Sequence, residues 1–160
     1  MKVLIVFDSY FGNTEKIARA IGEALAASAD VETVKVADLT LEKVSGIDLF
    51  ILGSPTRGFN ASEPTKAFLK LIPQGGLLDV KAAVFDTRIN PDTIKNFLFR
   101  FIVKRGGYAA EKMASALSQK GAKLAAGPEW FFVKESEGPL VEGELEHAAR
   151  WAASLVETAA

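Results

Sequence analysis

Two short stretches gather the polar groups that could do chemistry. In residues 9–14, Ser9-Tyr10-Phe11-Gly12-Asn13-Thr14, two hydroxyls and a glycine stand where an apolar run gives way to a helical pattern. A helix start offers unpaired N–H groups and the positive end of the helix dipole, so such a turn can wrap a phosphate. An ordinary helix start with Asn13 as its cap accounts for the same residues equally well. The stretch has neither the Gly-x-Gly-x-x-Gly of a dinucleotide fold nor the Gly-Lys-Ser/Thr ending of a nucleoside triphosphatase loop. The second stretch, residues 53–64 (GSPTRGFNASEP), again joins hydroxyls, Ser54 and Thr56, to a glycine and an amide, Gly58 and Asn60. No acid, base and nucleophile accompany them as a set. The chain has no cysteine, which excludes disulfides, thiolate metal ligands and a cysteine nucleophile. Its lone histidine, His147, is expected at a solvated position in the last helix and is given no role.

The elements around these stretches alternate. Val3 to Phe7 is a continuous apolar run, as a strand covered on both faces requires. Residues 14–28 put Ile17, Ala18, Ile21, Ala24 and Leu25 on one helical stripe, and a second strand follows at 31–36. Further strands are expected at 48–55 and 81–87, and a fifth at 121–133, broken by Gly127 and Pro128. Helices are expected at 63–72, 108–120 and 144–156. Strands separated by helices imply a doubly wound, five-stranded parallel sheet, because parallel neighbours need a crossover and the helices then cover both faces. With 160 residues, 49% of them hydrophobic, the chain reads as a single domain over 1–160. In such sheets ligands bind beyond the carboxyl ends of the strands, where strand order reverses. With the order 2-1-3-4-5, strands one and three are neighbours, and both polar stretches border one crevice.

The pair of loops, SYFGNTEKIA followed by LGSPTRG, resembles the flavodoxin family, and the likeness runs from Met1 to the last helix. It implies a flavodoxin-like fold and FMN as cofactor, with Ser9, Tyr10, Gly12, Asn13 and Thr14 around the phosphate and Ser54 and Thr56 assisting. It further implies Pro55, Thr56, Arg57, Gly58, Phe59 and Asn60 along one side of the flavin ring and Asp86, Thr87 and Arg88 along the other. The peptide at Gly58 would turn its carbonyl towards the flavin N5. The sequence departs from the family at three places. Phe11 replaces a hydroxyl in the first loop, Arg57 stands where many members have an aromatic, and DTRINPDT (86–93) stands where a glycine-rich turn with a stacking tyrosine is common. Asp-Thr-Arg after strand four is similar to a less studied subgroup of flavodoxin-like proteins. Arg57 and Arg88 read equally as charges near the pyrimidine edge of the ring or as side chains turned to solvent or paired with Asp86 and nearby acids. Phe59 reads as either a ring neighbour or a core residue under its loop, and Trp130 as a packing residue.

Residues 91–105 read as an added helix: Ile94, Phe97, Leu98, Phe101 and Ile102 keep a helical spacing, entered through Pro91. Residues 88–107 hold five basic side chains and one acid, Asp92, so this segment carries +4 while the rest of the chain carries −5. The simpler expectation is a stripe packed inward beneath a solvated basic face. The alternatives are a lid beside the flavin, a dock for an acidic partner or a dimer contact, widened by Phe99 and Val103.

The resemblance implies electron transfer with redox partner proteins. An FMN-dependent NAD(P)H:quinone or related reductase on the same fold is the alternative, and the absence of a catalytic set favours the carrier. A net charge of −1 argues against a broad nucleic-acid surface. A phosphoacceptor signalling domain would want paired acids after strand one, and the chain has Phe7-Asp8-Ser9. No apolar run approaches the ~20 residues of a membrane span, and Asp8 interrupts the opening run where a secretory signal would stay apolar. A cytoplasmic location is expected.

Overall fold

A computed structural model describes residues 1–157; the last three positions of the expected 1–160 domain lie outside the described residues. The elements are β1 (Lys2–Phe7), α1 (Asn13–Leu25), β2 (Asp30–Lys35), β3 (Leu49–Pro55), α2 (Glu63–Leu71), β4 (Lys81–Ile89), α3 (Phe97–Gly106), α4 (Ala109–Gln119), β5 (Lys123–Leu124), β6 (Glu129–Val133) and α5 (Glu144–Glu157). The strands form one parallel sheet in the order β2-β1-β3-β4-β5, with β6 also paired to β4.

Strand geometry sends alternate side chains to opposite faces, and each face has its own core. Leu4, Val6, Phe50, Leu52, Ala82 and Val84 pack under Phe68 and Leu69 of α2 and Met113 and Leu117 of α4. Val3, Ile5, Leu49, Ile51, Ala83 and Phe85 pack under Ile17, Ile21 and Leu25 of α1 and Trp151 and Leu155 of α5. A sheet buried on both sides explains why its central strands read as unbroken apolar runs.

The fifth strand is two segments. β5 pairs with the start of β4 (Lys81↔Lys123) and β6 with its end (Ile89↔Val133), and the Gly127-Pro128 interruption lies between them. That second pairing carries β4 through Ile89, two residues beyond the expected end, so Arg88 is a strand residue like Asp86 and Thr87.

The added helix is shorter than expected and packed differently. Pro91–Thr93 is a separate 3-10 turn, and α3 begins at Phe97, where Asn96 caps it by accepting from the N–H of Phe99 at 2.9 Å. None of its residues is buried. Phe97, Leu98, Phe99, Phe101 and Ile102 are all exposed, Phe97 to 74%. The expected inward stripe is therefore wrong: the stripe has no facing surface to pack against. The helix stops at Gly107, whose φ of 80° permits the sharp turn into α4.

Candidate functional site

The crevice lies where the expectation put it, at the carboxyl edge of β1, β3 and β4, and has two compartments that share Thr56. The first is polar, about 30 Å³, and lies at the start of α1, lined by Ser9, Tyr10, Asn13, Thr14, Arg57 and Thr87 among others. The second is apolar, about 330 Å³, with walls from Gly58 and Phe59, from Arg88 and Ile89, and from Phe99 and Val103 of α3.

Gly12 precedes α1 at φ 90°, a conformation that glycine adopts cheaply. Its own N–H donates to Ser9 Oγ at 3.0 Å, which closes the turn. No side chain caps α1. Asn13 is thus not the cap; its Nδ2 donates instead to the carbonyl of Glu137 at 3.0 Å. The amides of the first turn are consequently without a side-chain acceptor, and Asn13 and Thr14 line the polar compartment, an arrangement that an oxyanion completes. Beside them Thr14 Oγ1 and Thr87 Oγ1 share a hydrogen bond of 2.8 Å, and both residues are buried. Strand alternation explains the pair. Thr87 faces α1, whereas Asp86 and Arg88 on either side of it face α4, so these three residues do not form one wall.

Asp86 has no exposed surface and lies beneath the crevice. Its carboxylate accepts two bonds from Arg88 at 2.7 Å, one from the N–H of Ala110 at 2.9 Å and one from Thr56 Oγ1 at 3.1 Å. Thr56 Oγ1 accepts in turn from the N–H of Ala109 at 2.9 Å. Burial pushes the Asp86 carboxyl above its ordinary range, while the Arg88 guanidinium and the Ala110 N–H act in the other direction. The guanidinium of Arg88 is 3.7 Å from the ring centre of Tyr108 and 4.8 Å from that of Trp130. Of the two readings of Arg88, the structure has the pairing with Asp86, which matches its charge. Trp130 is 39% exposed and packs on this guanidinium rather than in the core. The Tyr108 hydroxyl is buried without a partner, and burial is the chief cause that pushes this phenol up, which keeps it protonated.

Arg57 takes a different place. It is exposed, and its guanidinium lies 5.3 Å from the ring centre of Tyr10 and 5.4 Å from that of Phe11, at the mouth of the polar compartment. Arg57 and Asn60 exchange both backbone bonds, at 2.9 and 3.1 Å, around Gly58 and Phe59, with φ of 53° and 67°. Positive φ at both central residues is what the tightest hairpin turns require. For Phe59 that region is strained. Phe59 is neither core nor free: a Cβ placed on Gly106 would lie 2.4 Å from its ring, so the helix end approaches that ring as only glycine allows. Ser54 is sealed under the loop with no exposed surface, accepting from the N–H of Ser62 at 2.9 Å and donating to the carbonyl of Pro55. It braces the loop and lines neither compartment. Pro55 lines the polar compartment, and the Asn60 Nδ2 donates to the carbonyl of Gly58 at 3.0 Å. His147 is half-buried on Phe131, with Glu129 and Glu144 at 3.6 and 3.5 Å, so its expected solvated position is also corrected.

Tyr108 was missed by sequence reasoning, and the inner side of α3 entered only as the alternative of a lid beside the flavin. The only signal was the spacing of Phe99 and Val103, which could not say which surface they face.

The family model for flavodoxin matches residues 5–150. The chain belongs to the flavodoxin family. Flavodoxins bind FMN and use it to transfer electrons to redox partners. Among curated relatives, the flavodoxin of Megasphaera elsdenii is 44% identical over 57 residues, covering 35% of this chain and 42% of that protein. The putative diflavin flavoprotein A 4 of Synechocystis is 33% identical over 90 residues, covering 53% of this chain and 15% of that protein. The chain thus spans less than half the length of either. Flavodoxin 2 of Bacillus cereus has the same fold, with a TM-score of 0.74 at 24% identity over 98% of this chain and 99% of its own. Among the described residues, no helix is long and apolar enough to cross a membrane.

Proposed function

We propose that the crevice holds FMN with its phosphate in the polar compartment and its ring in the apolar one, and that the protein carries electrons between redox partner proteins. The observation that carries this reading is the uncapped first turn of α1, opening into a compartment that shares Thr56 with a larger apolar cavity. FMN, when bound, supplies the redox chemistry. The chain supplies the rest. Amides of residues 13 and 14 and the hydroxyls of Ser9, Thr14 and Thr87 bind the phosphate oxygens, and Arg57 neutralises their charge. Tyr10, Pro55 and Thr56 bridge towards the ring. Gly58, Phe59 and Asn60 form one wall. Ile89, Phe99 and Val103 keep water from the other, above a floor fixed by the Asp86–Arg88 pair.

Residues 1–160 act in this reading as one flavodoxin-like domain in the cytoplasm, with the inner side of α3 beside the ring. Flavin extracted from the purified protein, and a one-to-one rise in visible absorbance when FMN is titrated in, are the expected results. Failure to bind FMN would end the proposal. Reduction of the bound flavin by NADH or NADPH alone, with turnover of a quinone, would replace the carrier with the reductase on the same cofactor.

A further inference from the structure

The outer face of α3 is unlike the rest of the surface in shape, composition and charge. On a helix, residues 97 and 101 lie one turn apart, opposite the side formed by Phe99, Val103 and Gly106. That inner side is spoken for: Phe99 and Val103 line the apolar cavity and Gly106 abuts Phe59. The outer side is not. Phe97 and Phe101 are 74% and 52% exposed, with Leu98 and Ile102 on their flank at 66% and 46%. Around them stand Arg100, Lys104 and Arg105, with Lys95 just before the helix. Arg100 lies 5.7 Å from the ring centre of Phe97, and Lys104 bonds Asp92 at 2.8 Å.

We infer that the outer face of α3 docks this protein on an anionic lipid bilayer. The charge argument comes first. With Arg88 buried and matched by Asp86, residues 91–107 carry +3 and the remainder of the chain −4, so an anionic surface attracts this face and repels the others, which orients the molecule as well as holding it. The same numbers speak against a second copy seated face to face, because two-fold symmetry would set +3 against +3. Shape comes second. A helix with no buried residue is a ridge, and a bilayer interface takes a ridge of phenylalanines without a preformed groove. Long basic side chains flanking those rings reach the headgroups while their stems cover apolar surface. The inference does not depend on the flavin, since none of these outer residues lines the cavity.

Flotation of the FMN-loaded and flavin-free protein with two kinds of vesicle tests it. One kind is pure phosphatidylcholine; the other replaces about a third of it with phosphatidylglycerol, enough to give a negative surface. Binding is expected only to the second, weakening as salt rises. Each basic residue neutralised among Lys95→Gln, Arg100→Gln and Arg105→Gln should weaken partition about fivefold, and the triple variant on the order of a hundredfold. The double variant Phe97→Ser with Phe101→Ser should abolish flotation, with circular dichroism showing that both variants stay folded. No flotation with anionic vesicles, or equal flotation with neutral ones, overturns the inference. So does a concentration-dependent dimer lost in the phenylalanine variant when vesicle binding is absent, which would assign the face to a second copy. Binding of acidic polypeptides such as polyglutamate without vesicle binding would assign it to an acidic protein partner and overturn it as well.

Discussion

Helices α1 and α3 have the same kind of sequence and opposite fates. Each follows a strand of the central sheet, each spaces apolar residues at three and four, and each borders the crevice. Yet α1 buries Ile17, Ala18, Ile21 and Leu25, whereas α3 buries nothing. The difference lies in what faces them. α1 lies on Ile5 and Ile51 of the sheet, and α5 flanks it; α3 is reached from β4 through a 3-10 turn and ends at Gly107, so it stands beside the sheet edge. Periodicity encodes a face; only topology supplies its partner.

Four substitutions, two on each helix, should separate the roles. Ile21→Ala removes a side chain with no exposed surface, and a loss of about 2–5 kcal/mol in urea unfolding is expected. A loss below about 1 kcal/mol would mean that α1 is not the core helix described. Thr14→Ala, at the site end of the same helix, strips a hydroxyl and leaves Thr87 without its partner. FMN should bind about ten- to a hundredfold more weakly, the equivalent of 1.5–3 kcal/mol, with riboflavin much less affected because it lacks the phosphate. Equal losses for the two flavins would remove the phosphate from the α1 end.

On α3 the effects should be smaller and reversed in kind. Phe99→Ala opens the wall of the apolar cavity, so FMN and riboflavin should weaken alike, by about fivefold, or ~1 kcal/mol. A loss confined to FMN would contradict the placing of the ring there. Phe101→Ala faces outward at 52% exposure and should change stability by no more than about 0.5 kcal/mol. A larger loss in thermal unfolding would show that α3 is covered after all.

Much of the fold was legible because it rests on local signals. The apolar runs of β1 and β3 and the stripe of α1 mark elements buried on the sheet, whereas the order 2-1-3-4-5 came with the family likeness, because parallel crossovers fit other orders as well. What escaped depends on partners far along the chain. The length of β4 is set by pairing with β6, some forty residues on. Thr87 belongs with Thr14 because strand alternation turns it towards α1, away from its neighbours Asp86 and Arg88. Arg88 had two readings, and only the strand decides for Asp86, two positions before it on the same face. Asn13 looked like a cap, but the Glu137 carbonyl claims its amide across 124 residues.

The contact of Phe59 with Gly106 gives the molecule a transmission. Lys112 Nζ gathers the carbonyls of Phe59 and Gly106 and the side-chain oxygen of Asn60, so the tight turn and the last turn of α3 are bolted to one ammonium group. Any rotation of the Gly58 peptide must carry the Phe59 ring with it, and that ring has no slack against a helix end that leaves no room for a methyl group. Motion of the turn is thereby geared to the outside wall of the molecule, and an alanine at position 106 would act as a wedge in the gear: it would hold turn and helix apart without altering any residue that lines the crevice.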